Sequence, residues 1–164
     1  VNSFGSKVVS KDLGILWNNA MIWFNPKPGN KNSIAPYKRP LVNMGPIIAC
    51  KNGQPYASIG SPGGRKIHNA NTNLALNILE FGMGPQEAIS TSRSDASGDT
   101  TLLDYRIDEN VISTLNKMGH KIHMIDDAEA WYSFARPSAI VIDQEKKTIY
   151  GGSDSFPVAE ARGY

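Results

Sequence analysis

Residues Gly60-Ser61-Pro62-Gly63-Gly64 follow a short apolar strand, Tyr56 to Ile59, and precede a helical pattern that starts near Ile67. An adjacent glycine pair at such a turn has no side chains to keep a substrate away from the backbone. Its successive N–H groups can point the same way and hold an anion. Where that anion is the oxygen of a tetrahedral intermediate, the turn is an oxyanion hole, and one donor there is worth roughly 3–4 kcal/mol of transition-state stabilisation. The same five residues also suit an ordinary tight turn. Two nucleotide readings are excluded. A phosphate-binding P-loop needs Gly-Lys-Ser/Thr, whereas Gly64 is followed by Arg65-Lys66, and the spacing Gly-x-Gly-x-x-Gly is absent.

Other reactive side chains are sparse. His120 and His123 fall on a predicted strand, so their rings point to opposite faces and suit a surface or structural role better than one shared metal. His68 sits in the first helical turn beside the glycines, as a plain helix residue or as a support for developing negative charge. Ser61 directly follows Gly60 and does not form a Gly-x-Ser-x-Gly elbow. Asp126, Asp127 and Glu129 read as a solvated acidic turn. The residues therefore offer an oxyanion-hole candidate without a visible nucleophile.

The elements that must position this turn follow from periodicity. Short apolar stretches at 7–9 and 13–17 read as strands or a strand and turn. Asn18-Asn19-Ala20-Met21-Ile22-Trp23-Phe24 places paired amides beside large apolar groups, which either line a pocket or cap a turn. Residues 25–40 contain Pro26, Pro28, Pro36 and Pro40, which exclude a helix and leave a long loop or lid. Ile47–Cys50 and Tyr56–Ile59 flank Asn52-Gly53, a strong hairpin signal. A helix is expected from Ile67 to Phe81, with Ile67, Ala70, Leu74, Ile78 and Phe81 on one face. A shorter helix runs from Pro85 to Ile89, 90–104 reads as loop, and a third helix starts after the N-cap Asp108 and ends at Gly119. Strands are expected at His120–Ile125, Pro137–Ile142 and Thr148–Tyr150. Hairpins imply antiparallel pairing, so the expected class is α+β, with antiparallel sheets and helices outside.

Composition sets the outer bounds. The chain has 164 residues, 40% hydrophobic and 20% charged, which suits one domain, or one large piece of a domain, around a real core. A net charge of +2 is too small to argue for nucleic acid or an acidic membrane. Cys50 is the sole cysteine, so neither an internal disulfide nor a cysteine metal cluster is possible, and any compartment fits. No apolar run reaches the roughly 18–20 residues of a membrane span, and the opening shows no signal-peptide pattern. That opening, from Val1, reads as strand or loop without an initiator Met. We expect a piece of a longer chain in which Val1 is not a processed N-terminus.

With these stretches in view, the chain resembles the C-terminal part of the γ-glutamyltransferase family, almost end to end. The likeness is carried by Phe4-Gly5-Ser6, Gly14-Ile15-Leu16, Asn18-Asn19 with Met21, Pro28-Gly29, Lys38-Arg39-Pro40-Leu41, Met44, Gly60 to Gly64, Asn77, Phe81-Gly82-Met83, Glu87-Ala88, Gly119-His120 and Gly163-Tyr164. The resemblance implies an N-terminal-nucleophile (Ntn) hydrolase with a four-layer αββα sandwich. It implies a precursor that cuts itself, freeing a threonine at the start of the small subunit. That hydroxyl attacks an amide while its own α-amino group acts as base. Gly63 and Gly64 map onto the glycines that supply the oxyanion-hole N–H groups. No metal or cofactor is implied. The partners implied are the large subunit of the same precursor, giving a heterodimer, and a small amide substrate such as the γ-glutamyl compounds of glutathione metabolism.

Two departures shape the expectation. The threonine belongs upstream of the Phe4-Gly5-Ser6 match, ahead of Val1. Glutamyl-binding members usually read Asn-Asn-Glu/Gln-Met-Asp-Asp-Phe and Arg-Pro-Leu-Ser-Ser-Met. Here the stretches are Asn18-Asn19-Ala20-Met21-Ile22-Trp23-Phe24 and Arg39-Pro40-Leu41-Val42-Asn43-Met44. The substrate-binding residues expected from this match are Asn19, Trp23, Val42, Asn43 and Met44. The function expected is that of most of a small subunit, residues 1–164, of an amide hydrolase or acyltransferase working through an acyl-threonine. The alternatives are an acylase for a more apolar acyl group, and a catalytically silent paralogue serving as a binding or assembly subunit.

Overall fold

The computed structural model describes residues 5–127, 133–154 and 160–162. The backbone divides into two compact units, Val1–Asn43 and Met44–Tyr164.

The first unit is built from turns. The stretches expected as strands at 7–9 and 13–17 meet in a single bridge, Val9↔Leu16, supported by Ser6 N–H to Trp17 O and Trp17 N–H to Val8 O, both 2.9 Å. They do not extend into a sheet, because Val8, Val9, Leu13 and Ile15 all remain exposed and no buried face fixes a longer register. Ala20–Trp23 forms one 3₁₀ turn. The proline-rich loop is ordered by its own asparagines. Asn25 N–H donates to Asn32 O at 2.8 Å, and Asn25 bridges to Ser33.

The second unit holds every helix and strand that follows. In chain order these are β1 (Ile47–Lys51), β2 (Gln54–Gly60), α1 (Ile67–Leu79), α2 (Pro85–Ser90), β3 (Ser94–Asp95), β4 (Thr101–Asp104), α3 (Glu109–Lys117), β5 (Ile122–Ile125), β6 (Ser138–Asp143) and β7 (Thr148–Ser153). The strands β1-β2-β6-β7 form one antiparallel sheet. Its hairpin turns at Asn52-Gly53, both with positive φ, as a type I′ connection requires. One face carries Ala57, Ile59 and Ala139, which pack with Leu74 and Ile78 of α1 and Ala88 and Ile89 of α2. Burial of each larger side chain contributes about 1.5–3 kcal/mol. The opposite face presents the row Ile48↔Ser58↔Ile140, and Ile48, Ile140 and Ile149 stay exposed. Antiparallel pairing and helices outside the sheet match the expected α+β class.

The helix α2 is fastened to β7 at two adjacent residues. A Cβ on Gly152 would fall 2.6 Å from the Gln86 nitrogen, so only glycine permits the approach. The Gln86 amide then pairs with the backbone of Ser153, accepting from its N–H at 3.1 Å and donating to its carbonyl at 3.2 Å.

The stretch 90–104 is not simply loop. The strands β3 and β4 pair antiparallel, and β4 pairs in parallel with β5 across α3. α3 starts as expected, with the Asp108 carboxylate accepting from Asn110 N–H at 2.8 Å. At the end of β4 the Asp104 side chain is fully buried. It accepts from the backbone N–H and Nε of Arg106, both at 2.9 Å, and from Nη2 at 2.6 Å. Burial pushes the Asp104 carboxyl up, but the Arg106 hydrogen bonds and charge outweigh it and hold the carboxyl below its ordinary value. The Asp104 hydrogen bond in turn raises Arg106. A carboxyl whose folded pKa is depressed contributes stability above its unfolded value, and loses it as pH falls through the folded one. Asp104→Asn in the full-length protein is therefore expected to cost about 1–3 kcal/mol in urea unfolding at pH 7. The gap from wild type should close as the pH falls below the ordinary carboxylate range, and a gap of the same size at neutral and strongly acidic pH would contradict this account. Among the described residues no helix is long and apolar enough to cross a membrane.

Candidate active site

The strand β2 ends its ladder at Gly60↔Ser138, so Gly63 and Gly64 lie beyond the last strand pair. The chain then enters a 3₁₀ turn, Gly64–Lys66, that runs straight into α1. Both glycines have a positive φ that disfavours a side chain, and Gly63 carries a second requirement. Gly63 adopts φ 154°, and a Cβ there would stand 2.4 Å from the Cβ and 2.7 Å from the Cα of Ala135. Gly64 adopts φ 63° with open space where its Cβ would be. Gly63 is thus required both by its own dihedral and by the neighbouring Ala135, and Gly64 by its dihedral alone.

Ala135 can press on the turn because its own segment is held. Ser133, Phe134, Ala135 and Pro137 are buried. Arg136 N–H donates to Pro62 O at 2.9 Å, linking this segment directly to the glycine turn. Arg93 Nη1 donates to Ala135 O at 2.8 Å. Arg93 is itself ion-paired to Asp154, and Arg136 lies 3.2 Å from Asp127 and 3.3 Å from Asp154. The four side chains are only 5–15% exposed. Buried charges persist only when paired, and here each charge has a partner. Asp127 is therefore part of a largely buried ionic cluster behind the turn, which corrects the expectation of a solvated acidic loop. Glu129, the third member of that expected loop, lies outside the described residues, as does Val1.

The front of the turn is tied down as well. Ser61 Oγ donates to Asn71 Oδ1 at 2.8 Å, and Asn71 Nδ2 donates to Gly45 O at 2.6 Å. The Ser61 proton is committed to an amide, which agrees with the absence of an elbow motif. His68 packs against Gly45, where a Cβ would fall 2.8 Å from its Nδ1. His123 is exposed on β5, and His120 precedes that strand with Nδ1 3.5 Å from Thr101 Oγ1. Among the described residues no group of three His, Cys, Asp or Glu is placed to hold a metal ion.

The expected catalytic and substrate-binding residues divide between the units. Met44, Gly63 and Gly64 belong to the second, and Asn19, Trp23, Val42 and Asn43 to the first. Within the first unit Asn19 is the N-cap residue of the 3₁₀ turn, and Asn18 Oδ1 accepts from Ala20 N–H at 2.8 Å. The Asn18 amide therefore braces the turn, while the Asn19 side chain makes no cap hydrogen bond. Asn32 brings the two substrate stretches together. Its Nδ2 donates to Trp23 O at 2.7 Å, and its Oδ1 accepts from Leu41 N–H at 2.9 Å, one residue before Val42. Trp23 and Asn43 are half-buried, while Ile22, Val42 and Met44 are exposed.

The model of the family described as gamma-glutamyltranspeptidase matches residues 1–164. The chain belongs to that family. It is 32% identical over 156 residues to the glutathione hydrolase proenzyme of Bacillus subtilis strain 168, covering 93% of this chain and 25% of that protein. It is 34% identical over 119 residues to the acylase ACY 1 proenzyme of Pseudomonas sp. strain V22, covering 73% of this chain and 21% of that one. A crystal structure of Helicobacter pylori γ-glutamyltranspeptidase superposes with a TM-score of 0.73 at 29% identity, covering 94% of this chain and 88% of that chain. The chain spans about a quarter of the length of the curated relatives it matches. Family membership places the α+β arrangement among the Ntn hydrolases.

Sequence reasoning found the glycine pair but missed what holds it. Asn71 is one of several asparagines on α1 and no motif marks it. Arg93, Ala135, Arg136 and Asp154 are scattered along the chain and carry no local motif.

Proposed function

We propose that this chain is the small-subunit portion of a γ-glutamyltranspeptidase-type amide hydrolase or acyltransferase, in which Gly63 and Gly64 form the oxyanion hole. The observation that carries the reading is the pair itself. It lies past the end of its strand ladder, and Gly63 is pressed against a backbone that tolerates no side chain. In the proposed reaction a threonine hydroxyl, from a segment of the protein outside these residues, attacks the amide carbon. The threonine's own α-amino group takes the hydroxyl proton. The carbonyl π electrons move to oxygen, and the N–H groups of Gly63 and Gly64 stabilise the resulting oxyanion. Collapse breaks the C–N bond, and the protonated amino group returns its proton to the leaving amine. Water or an acceptor amine then attacks the acyl-threonine and releases the acyl group.

A large-subunit partner from the same precursor fits two facts. The relatives are proenzymes, and the sheet face bearing Ile48, Ile140 and Ile149 is apolar and exposed. Autoprocessing of a full-length precursor into a heterodimer belongs to the same proposal.

Within this reading we favour an acyl group that is more apolar than γ-glutamyl, because Ile22, Trp23 and Val42 stand where glutamyl-binding members offer charged or hydroxyl groups. The acylase name of one relative supports the same direction. The test is to incubate full-length protein with an acyl anilide and quench early for intact-mass analysis. A small-subunit mass raised by one acyl group, on a peptide beginning with threonine, is the expected result. A protein that turns over neither γ-glutamyl nor apolar anilides and forms no adduct would be the silent assembly subunit instead.

A further inference from the structure

We infer that Asn71 is a positioning residue of this site, joining the oxyanion turn to the backbone that follows the substrate-binding residue Met44. The inference rests on the hydrolase reading above. Asn71 is 1% exposed and sits in the second turn of α1. Its amide is used at both ends and in opposite senses. The oxygen accepts from Ser61, two residues before Gly63, and the nitrogen donates to the carbonyl of Gly45, directly after Met44. The four-stranded sheet does not make this link, because its β1–β2 register starts at Ile47↔Ile59 and stops short of both segments. The amide therefore replaces a missing rung of backbone pairing. No other side chain of that length that is uncharged at neutral pH in water offers a donor and an acceptor in a planar group.

This role separates from mere core filling through charge. Asn71→Asp keeps the size and still accepts from Ser61. As a carboxylate, however, it cannot donate to Gly45 O and sets two oxygens against each other. As a neutral acid it can donate again, and burial favours that neutral form. Full-length wild type and N71D are assayed on the same anilide from pH 8 to pH 5, with each rate divided by the wild-type rate at that pH. The division removes the pH dependence that the two proteins share, including that of the threonine amine. The expected result is a loss of at least about tenfold in kcat/KM at pH 8 that shrinks to within about threefold at pH 5. Unchanged kcat/KM at pH 8, or a loss that stays the same down to pH 5, overturns the assignment.

Should N71D fail to fold or process, Ser61→Ala tests the same link, because it cuts only the bond on the oxyanion side. Its kcat should fall about five- to tenfold with KM within twofold, since the lost contact acts on the turn and not on the substrate segment. An unaltered kcat overturns the inference. A wild type without turnover removes the hydrolase reading and this inference together. An active wild type with indifferent variants removes only the role of Asn71.

Discussion

On the proposed reading, alanine at Gly63 is expected to lower kcat of the full-length protein by about a hundredfold or more, because an oxyanion-hole donor displaced by about 1 Å loses most of its value. Alanine at Gly64 should do far less. The new methyl at Gly63 would stand 2.4 Å from the Cβ and 2.7 Å from the Cα of Ala135. Ala135 cannot retreat, since Arg93 holds its carbonyl and the next residue, Arg136, is bonded to Pro62. The turn must move instead, and the N–H groups move with it. At Gly64 nothing lies within 4 Å of a new Cβ. The cost there is left-handed backbone strain of roughly 1–2 kcal/mol, felt mainly as stability. Steady-state kinetics and thermal melts on both variants decide the matter. Equal kcat values would show that contact with Ala135 does not set the geometry of the site.

The second large effect concerns substrate choice. An uncharged acyl anilide is expected to exceed a γ-glutamyl anilide of similar size in kcat/KM by about tenfold or more, a difference of about 1.4 kcal/mol or more. The α-ammonium and α-carboxylate of a γ-glutamyl group must both leave water, and an uncompensated buried charge is very costly. Ile22 and Trp23 offer the ammonium no carboxylate. Trp23 can supply a cation–π contact, worth only about 0.5–2 kcal/mol. Asn43 still carries an amide for the carboxylate, but Val42 has none. Asn32 fixes Trp23 and Leu41 relative to each other, so these apolar groups form a set surface within their unit. A higher kcat/KM for the γ-glutamyl compound would show that the rest of the protein restores the clamp.

Local signals made the frame of the second unit legible. Asn52-Gly53 between apolar runs specified the β1–β2 hairpin, the spacing of Ile67, Leu74 and Ile78 specified α1, and Asp108 specified the start of α3. Each depends on residues within a few positions of one another. The strands β3 and β4 were hidden for the opposite reason. Ser94-Asp95 and Thr101-Leu102-Leu103-Asp104 are short and partly polar, and β4 is completed by a parallel partner beyond α3. The stretches at 7–9 and 13–17 had strand-like composition but no buried face to extend their pairing. At the site, Gly63 and Gly64 were visible as a pair, yet only the position of Ala135 distinguishes what each requires. Arg93 and Asp154 are 61 residues apart, and no periodicity connects them.

The grip on the glycine turn also fixes when in folding it can be completed. Its holders are Gly45 through Asn71, the 133–137 segment, and Arg93 with Asp154. The β1–β2 hairpin and α1 can form from near neighbours, but Ala135 arrives only after β6 docks on β2, and Arg93 is neutralised only when the end of β7 brings Asp154. Contacts of such long sequence separation repay their loop-closure entropy late. A chain released with only its hairpin and first helix folded would carry both glycines and still lack the contacts that hold the turn. On the proposed reading, competence for chemistry would wait until the last strand of the sheet is in place.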